Sequence, residues 1–186
     1  MCQYVSEAAL LAGLESIKNS PKDQGMLELI VIRPKDNERI VRVECALSSR
    51  LGAHGDMWAE KCWKTLPDGS PHPDVQLAIM NSRCIAWLAQ EKSRWPLAGD
   101  QLYIDMDLSG DNLPVGQRLA IGTAILQITD TPHTGCGLFA ERYGQAAVKF
   151  VNSPIGKRLH LRGIYAKVIH DGLVRTGDIV TKINQV

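Results

Sequence analysis

The sequence has no marked excess of either charge. Its 21 Lys and Arg residues almost balance its 20 Asp and Glu residues, which leaves a formal net charge of +1. A chain with so little net charge has no overall attraction to nucleic acid or to an anionic membrane surface. Neither is therefore expected as a partner, and any electrostatic function must come from local clusters of charge.

The sequence also lacks long apolar runs. None of its apolar segments reaches the roughly 20 residues that cross a bilayer. Met1–Ser20 lacks the basic region and apolar stretch of a secretory signal. The cysteines are odd in number and show no C-x-x-C spacing, so we expect reduced thiols in a cytoplasmic protein and no disulfide framework. They are Cys2, Cys45, Cys62, Cys84 and Cys136.

What the sequence does contain is a series of short strand-like segments. They include "MLELIVIRP", "RIVRVECAL", "VQLAIM", "DQLYIDM" and "RLAIGTAILQITD", and turn-forming residues separate them. Few helical segments lie between them. The pattern therefore predicts a mainly β fold, either an antiparallel barrel or a sandwich, with a helical appendage over residues 1–25.

Several local structures follow from capping and turn residues. Ser6 is expected to cap an amphipathic helix whose residues Leu11, Leu14 and Ile17 face the body of the protein. Asn81 or Ser82 is expected to cap a helix that runs to about Lys92, and residues 145–152 are expected to form another. The Asp-Gly pair at 171–172 predicts a tight hairpin within the closing segment.

Cys136 lies in the segment "TPHTGCGLFAERYG", directly before a predicted helix. Free amides at a helix start and nearby cations would make this thiol a better nucleophile or soft-metal ligand. A buried apolar filler is an equal interpretation, because free cysteines are usually buried and inert. His133, three residues earlier, is the neighbour expected to tune the thiol if it is reactive.

Three other site types fit the sequence poorly. Gly135-x-Gly137-x-x-Ala140 matches a dinucleotide fingerprint, but the acidic residue expected about 20 positions later is missing. "DMDLSGD" matches only the first half of a calcium loop. The histidines and cysteines show no paired spacing of a structural zinc site.

The basic run "GKRLHLRG" at residues 156–163 is the strongest local cluster of charge. If it is a strand, Arg158, His160 and Arg162 share one face and Lys157 lies on the other. Such a face is either solvated or an anion clamp, since arginine offers a planar fork to phosphate or carboxylate. Trp58 and Trp63, in the long irregular loop before "VQLAIM", either stack on a flat ligand or cover the core.

Four motifs in this order resemble the MOSC domain family, named after the C-terminal domain of molybdenum cofactor sulfurases. They are Gly55-Asp56 in "LGAHGDMW", the run Gly110–Leu113, the strand and loop that end at Cys136, and the closing segment Gly172–Asp178. The similarity covers roughly Met26–Ile183. It implies a mostly antiparallel MOSC-type β-barrel with a few short helices over residues 26–186.

The resemblance also implies a function. MOSC domains are thought to carry sulfur or to bind the pyranopterin molybdenum cofactor, and stand-alone bacterial members are linked to N-hydroxylated bases. Cys136 would then be the metal ligand or the sulfur carrier, with His133 beside it. The residues expected to bind the cofactor are cations for its phosphate and two residues of the covering loop, namely Arg162, Arg158, Lys149, Asp56 and His54.

Other outcomes stay open at this point. The chain is either an enzyme, such as a sulfur transferase or a molybdenum-dependent reductase of N-hydroxylated bases, or a non-catalytic barrel that binds a partner protein. The expected ligand is the pyranopterin or another small anion, and an electron-donor or sulfur-donor protein is a further candidate partner. The pyridoxal-phosphate domain of full sulfurases has no counterpart in this sequence, so that cofactor is not expected.

Overall fold

Seven strands close into a β-barrel in the computed structural model, which describes residues 4–183. The strands of the chain are β1 (Gly25–Ile32), β2 (Ile40–Arg42), β3 (Glu44–Ser48), β4 (Gly52–Ala53), β5 (Leu77–Asn81), β6 (Leu102–Asp105), β7 (Arg118–Ile121), β8 (Ala124–Ile128), β9 (Ile164–His170), β10 (Gly172–Arg175) and β11 (Ile179–Ile183). Around the barrel the order is β11-β7-β8-β9-β5-β6-β1, and β1 pairs with β11 to close it. The predicted mainly β, barrel-type fold is thus confirmed.

The barrel is mixed, because β5 and β6 run parallel while the other pairings among the described strands are antiparallel. A parallel pair needs a crossover connection, and here a helix and a 3-10 helix supply it. They are α3 (Ser82–Ala89) and the 3-10 segment Lys92–Ala98. The amide side chain of Asn81 accepts from Cys84 N and caps α3 as expected, but α3 ends three residues earlier than the predicted Lys92.

The predicted hairpin at Asp171-Gly172 is wrong. Strand β9 belongs to the barrel, whereas β10 pairs with β3 in a separate three-stranded sheet of order β10-β3-β4. The Asp171 carboxylate accepts a hydrogen bond from Ser49 N, next to β3, which directs the chain to that sheet. The turn therefore moves the chain from one sheet to the other.

The helices cover one side of the barrel. Besides α3 they are α1 (Glu7–Ala12), α2 (Leu14–Lys18), α4 (Gly137–Tyr143), α5 (Gln145–Asn152) and α6 (Pro154–Arg158). Ser6 caps α1 and α5 spans residues 145–152, both as expected. Leu10 and Ile17 are the buried residues of the first two helices, while Leu11 is half exposed, so the predicted inward face was wrong at Leu11.

Residues 156–163 do not form the predicted strand. Ser153 accepts a hydrogen bond from Gly156 N and caps α6, and Pro154 occupies its first turn. Both residue types favour a helix start. The alternating faces expected for this run therefore do not exist. Its charged residues lie in α6 and in the turn that follows it.

Two apolar clusters hold the fold together. The barrel interior is filled by aliphatic side chains such as Leu27, Ile79 and Leu126, and the second cluster lies between the barrel wall and the helices, around Leu10, Tyr103 and Phe139. Within residues 4–183, no helix is long and apolar enough to cross a membrane. The domain boundary expected at residue 25 stays a prediction.

Candidate functional site

A cavity of about 730 Å³ opens where the loop after β4, the segment before β6 and the start of α4 meet. We call it the arginine cavity, because four arginine side chains line it. They are Arg33, Arg39, Arg142 and Arg162. The four come from separate parts of the chain, which only the barrel and its helical cover bring together.

Each of the three guanidinium nitrogens of Arg33 has a hydrogen-bond partner at the edge of this cavity. Its Nε and Nη2 donate to the two carboxylate oxygens of Asp56, each at 2.9 Å, and its Nη1 donates to the Gly99 carbonyl at 3.2 Å. Asp56 also accepts from the backbone amides of Arg33 and Trp58. Burial lowers the pKa of Arg33, but the hydrogen bond and charge of Asp56 outweigh it and raise the pKa overall. This pair fastens the covering loop to β1.

Arg162 forms a second, deeper pair with Asp100. One nitrogen of Arg162, Nη1, donates to both carboxylate oxygens at 2.9 and 2.8 Å, and Nη2 donates to the Ala98 carbonyl. Its Nε is buried and has no partner among the described residues. The guanidinium also lies 4.8 Å from the ring centre of Phe139. A donor is thus held in place inside the cavity wall and left unused.

His133 is a buried neighbour of this pair. Its Nδ1 lies 3.6 Å from an Asp100 oxygen, too far for a good hydrogen bond, and has no partner among residues 4–183. Burial and the charges of Arg162 and Arg33 hold the pKa of His133 well below its usual value. The imidazole is therefore neutral at physiological pH and adds no positive charge to the cavity.

Arg39 and Arg142 give the cavity its excess positive charge. Within the described range, neither has a carboxylate within ion-pair distance, whereas Arg33, Arg162 and Lys61 each have an aspartate. Burial lowers the pKa of Arg39, and repulsion from Arg142 and Arg33 lowers it further. An anion entering the cavity would relieve that repulsion, so the site is suited to negatively charged ligands.

One wall of the cavity is aromatic. The rings of His133 and Tyr165 lie 4.3 Å apart, and the Trp63 ring follows at 6.4 Å from Tyr165. Trp63 is 69% exposed, an unusual state for an indole that packs only against its own protein. A flat ring can therefore stack on this wall while its anionic groups reach the arginines.

Two thiols complete the lining. Cys136 is exposed and lies at the start of α4, and Cys62 is half-buried in the loop that carries Trp63. The interpretation of Cys136 as a buried filler is wrong. Cys45 and Cys84, by contrast, are buried and donate to backbone carbonyls, and burial raises the pKa of Cys84 to about 12.

The family model of the MOSC domain matches residues 67–181. The chain belongs to the MOSC domain family. A comparison with curated protein sequences found no match. The resemblance expected from the four sequence motifs is therefore confirmed for more than half of the chain.

Solved structures share the fold of this MOSC domain at low sequence identity. The YuaD protein from Bacillus subtilis is 17% identical, with a TM-score of 0.62 over 87% of this chain and 97% of its own. YiiM from Escherichia coli is 18% identical, with a TM-score of 0.56 over 87% of this chain and 71% of its own. YiiM from Geobacillus stearothermophilus is 13% identical, with a TM-score of 0.55 over 86% and 75%.

The MOSC fold brings together some of the residues expected in the site and separates others. Cys136, His133 and Arg162 line the arginine cavity, and Asp56 lies against it through Arg33. Lys149, Arg158 and His54 are exposed and do not line it. Lys149 and Arg158 lie on the helices α5 and α6, where the helical period turns them to solvent.

Sequence reasoning missed several residues of the site. They are Arg33, Arg39, Asp100, Cys62 and Tyr165. None of them is unusual for its own segment of the sequence, and only the fold brings them together around the arginine cavity. The one local signal was the Arg33-Pro34 pair directly after the buried strand β1, because a charged side chain at such a position needs a hydrogen-bonding or charged partner.

A second cavity, of about 670 Å³, lies on the other side of residues 131–134. Its lining is mostly apolar, with Leu113, Val151 and Ile164 in its wall and Asp130 and Lys157 exposed beside it. Pro132, His133 and Thr134 line both cavities, so this strip of the MOSC domain separates them.

A metal site made of protein ligands alone is not present in residues 4–183, where no three His, Cys, Asp or Glu side chains are grouped suitably.

Proposed function

We propose that this MOSC domain binds a pyranopterin molybdenum cofactor in the arginine cavity, with the Cys136 thiolate as the protein ligand to the metal. The observation that carries the proposal is the set of buried, unpartnered nitrogens in the cavity wall. Arg162 Nε, Arg39 Nε and His133 Nδ1 have no hydrogen-bond partner among the described residues. Buried polar groups rarely remain unpaired, so these positions are suited to a polar ligand.

The charge and shape of the cavity support the same ligand. Arg39 and Arg142 supply positive charge without carboxylate partners in the described range, which suits the phosphate of the cofactor. Tyr165 and Trp63 offer a face for a flat pterin ring. The volume of about 730 Å³ is within the usual range for a cofactor site.

Each residue then has a distinct task. Arg142 and Arg39 attract and hold the anionic end, Arg162 donates from Nε, and Cys136 offers a soft sulfur of the kind that such metals accept. When bound, the cofactor would supply redox chemistry at molybdenum. The neutral His133 lacks the acidic second ring proton of an imidazolium at physiological pH, so we expect it to donate or accept a hydrogen bond rather than to act as a general acid.

A sulfur carrier is the second candidate function. The exposure of Cys136 in this cavity favours it, because a sulfur carrier needs a thiol that donor and acceptor molecules can reach. Both functions need an accessible Cys136. They differ in the group bound to its sulfur, which is molybdenum in the first function and a persulfide sulfur in the second. A reductase acting on N-hydroxylated bases would need the first function.

The test is to express the protein in a host that makes the cofactor and to measure molybdenum, oxidised pterin and persulfide on the purified chain. We expect close to one molybdenum and one pterin per chain in the wild type, and a large loss of molybdenum in Cys136→Ser. Cys45→Ser is the matched control, since that thiol is buried away from the cavity, and it should retain the metal. A wild-type protein without molybdenum or pterin that also fails to take up the cofactor in vitro would contradict the proposal, and persulfide on Cys136 in that protein would select the second candidate.

A further inference from the structure

The arginine cavity contains two thiols, although the proposed function requires only one. Of the four described cysteines, Cys45 and Cys84 are buried and hydrogen bonded to carbonyls, while Cys62 and Cys136 both line this cavity. We propose that Cys62 and Cys136 form a reversible disulfide in the wall of the arginine cavity. The inference needs accessible thiols only, so it does not depend on the proposed cofactor.

Direct contacts join the segments that carry the two thiols. Lys64, two residues after Cys62, donates through Nζ to Thr131 Oγ1 at 3.2 Å. Trp63, next to Cys62, packs on Tyr165, which stacks on His133, three residues before Cys136. The two thiols therefore lie on adjoining segments of one cavity wall.

Both thiols lie outside strands and helix interiors. Cys62 lies in a loop without regular structure between two 3-10 helices, and residues 131–136 are extended without strand pairing. A disulfide needs Cα atoms about 4.4–6.8 Å apart, and irregular segments reach such a distance at less cost than a strand or helix would. Cys84, fixed inside α3, could not do so.

The charge of the cavity favours the chemistry. Arg39 and Arg142 line it without carboxylate partners among the described residues, so the cavity attracts an anionic reagent. Oxidation needs a low-molecular-weight disulfide such as oxidised glutathione. The Cys136 thiolate attacks one sulfur of that molecule, a bond forms between protein and glutathione, and one glutathione thiolate leaves.

The second step uses Cys62. Its thiolate attacks the Cys136 sulfur, the bond between Cys136 and glutathione breaks, and the second glutathione leaves as a thiolate that takes up a proton. The protein pair has then lost two electrons and two protons, and oxidised glutathione has gained both. A dithiol reductant reverses the change.

The experiment exposes reduced full-length protein to oxidised glutathione and follows it by intact mass and peptide mapping. All proteins carry Cys2→Ser, because Cys2 lies outside the described residues. The wild-type background should lose two hydrogen atoms and yield a peptide that links Cys62 to Cys136. Cys62→Ser should instead keep glutathione on Cys136, with a lifetime longer by about tenfold or more.

Cys45→Ser is the matched control, since serine keeps a donor for the carbonyls that Cys45 contacts, and it should still form the Cys62–Cys136 link. Thermal melting checks that each variant is folded. The proposal is overturned if glutathione persists on Cys136 equally with and without Cys62, if Cys136 pairs with another cysteine, or if Cys136 does not react. Cofactor loading is measured on reduced protein, so failure of the proposed function would be seen separately.

Discussion

The two arginine–aspartate pairs of the site differ in how completely they are bonded. Arg33 uses its fork to grip both oxygens of Asp56, and that carboxylate also accepts two backbone amides. Arg162 reaches both oxygens of Asp100 with a single nitrogen and leaves Nε without a partner in residues 4–183. Both aspartate side chains are fully buried.

The difference separates a structural pair from one prepared for a ligand. In the first pair every guanidinium nitrogen has a hydrogen-bond partner, and the pair holds the loop after β4 against β1. The second pair keeps a buried donor and a neighbouring unpaired imidazole, which a polar ligand could satisfy. Substitutions at the first pair should therefore affect mainly stability, whereas substitutions at the second should affect binding as well.

The largest expected effect is on stability at Asp56. Asp56→Ala removes the partner of Arg33, which is mostly buried, and should lower the free energy of unfolding by about 3–5 kcal/mol. Urea denaturation measures the change. The control is Asp36→Ala, which breaks the exposed pair with Lys61 and should cost less than about 1 kcal/mol. Equal losses in the two variants would show that the Arg33–Asp56 pair does not fasten the loop.

An effect of intermediate size is expected on binding at Arg162. Arg162→Lys keeps a charge near Asp100 but removes Nε, so the affinity for a phosphorylated pterin should fall about 10- to 100-fold, the value of one charge-assisted hydrogen bond. Calorimetric titration measures the affinity. Arg33→Lys is the comparison and should lower the melting temperature more than the affinity. If Arg33→Lys impairs binding as strongly, the two pairs do not have separate roles.

The smallest expected effect is a pH dependence due to His133. Its pKa is lowered in the native state, so the unfolded chain binds the proton more tightly, and stability falls as pH drops below about 6.5, by at most about 1.4 kcal/mol per pH unit. Urea denaturation between about pH 7.5 and about pH 5.5 tests this. His133→Gln should flatten the curve.

The charges of Asp100, Arg162 and Arg33 also act on His133. Comparing the variants therefore separates the contribution of His133 to the pH dependence of stability from the contributions of other groups. His170→Gln, at an exposed histidine, should keep the wild-type slope. If the His133→Gln variant shows the same slope as the wild type, the buried imidazole is not the group that titrates.

The sequence was informative where structure depends on neighbours along the chain. The alternation of "RLAIGTAILQITD" predicted β7 and β8, and Asn81 predicted the start of α3, because patterning and capping are local. The Asp-Gly turn at 171–172 failed for the opposite reason. Whether β10 pairs with β9 or with β3 depends on a segment more than a hundred residues away.

The site was predictable only in part. Cys136 and Asp56 stood out through motifs, whereas Arg39 and Arg142 carry no local signal and meet only in the folded chain. Arg158 was misplaced because residues 156–163 were interpreted as a strand, although Ser153 and Pro154 together indicate a helix start. A helix predicted from those two residues would have placed the Arg158 side chain toward solvent.

Pairing of β1 with β11 closes the barrel, and it joins strands from opposite ends of the described chain. The cylinder thus has an open seam until β11 has left the ribosome and can pair with β1. Contacts this distant in sequence also slow folding. Nascent chains halted before residue 179 should expose the edge of β1 and need protection by chaperones.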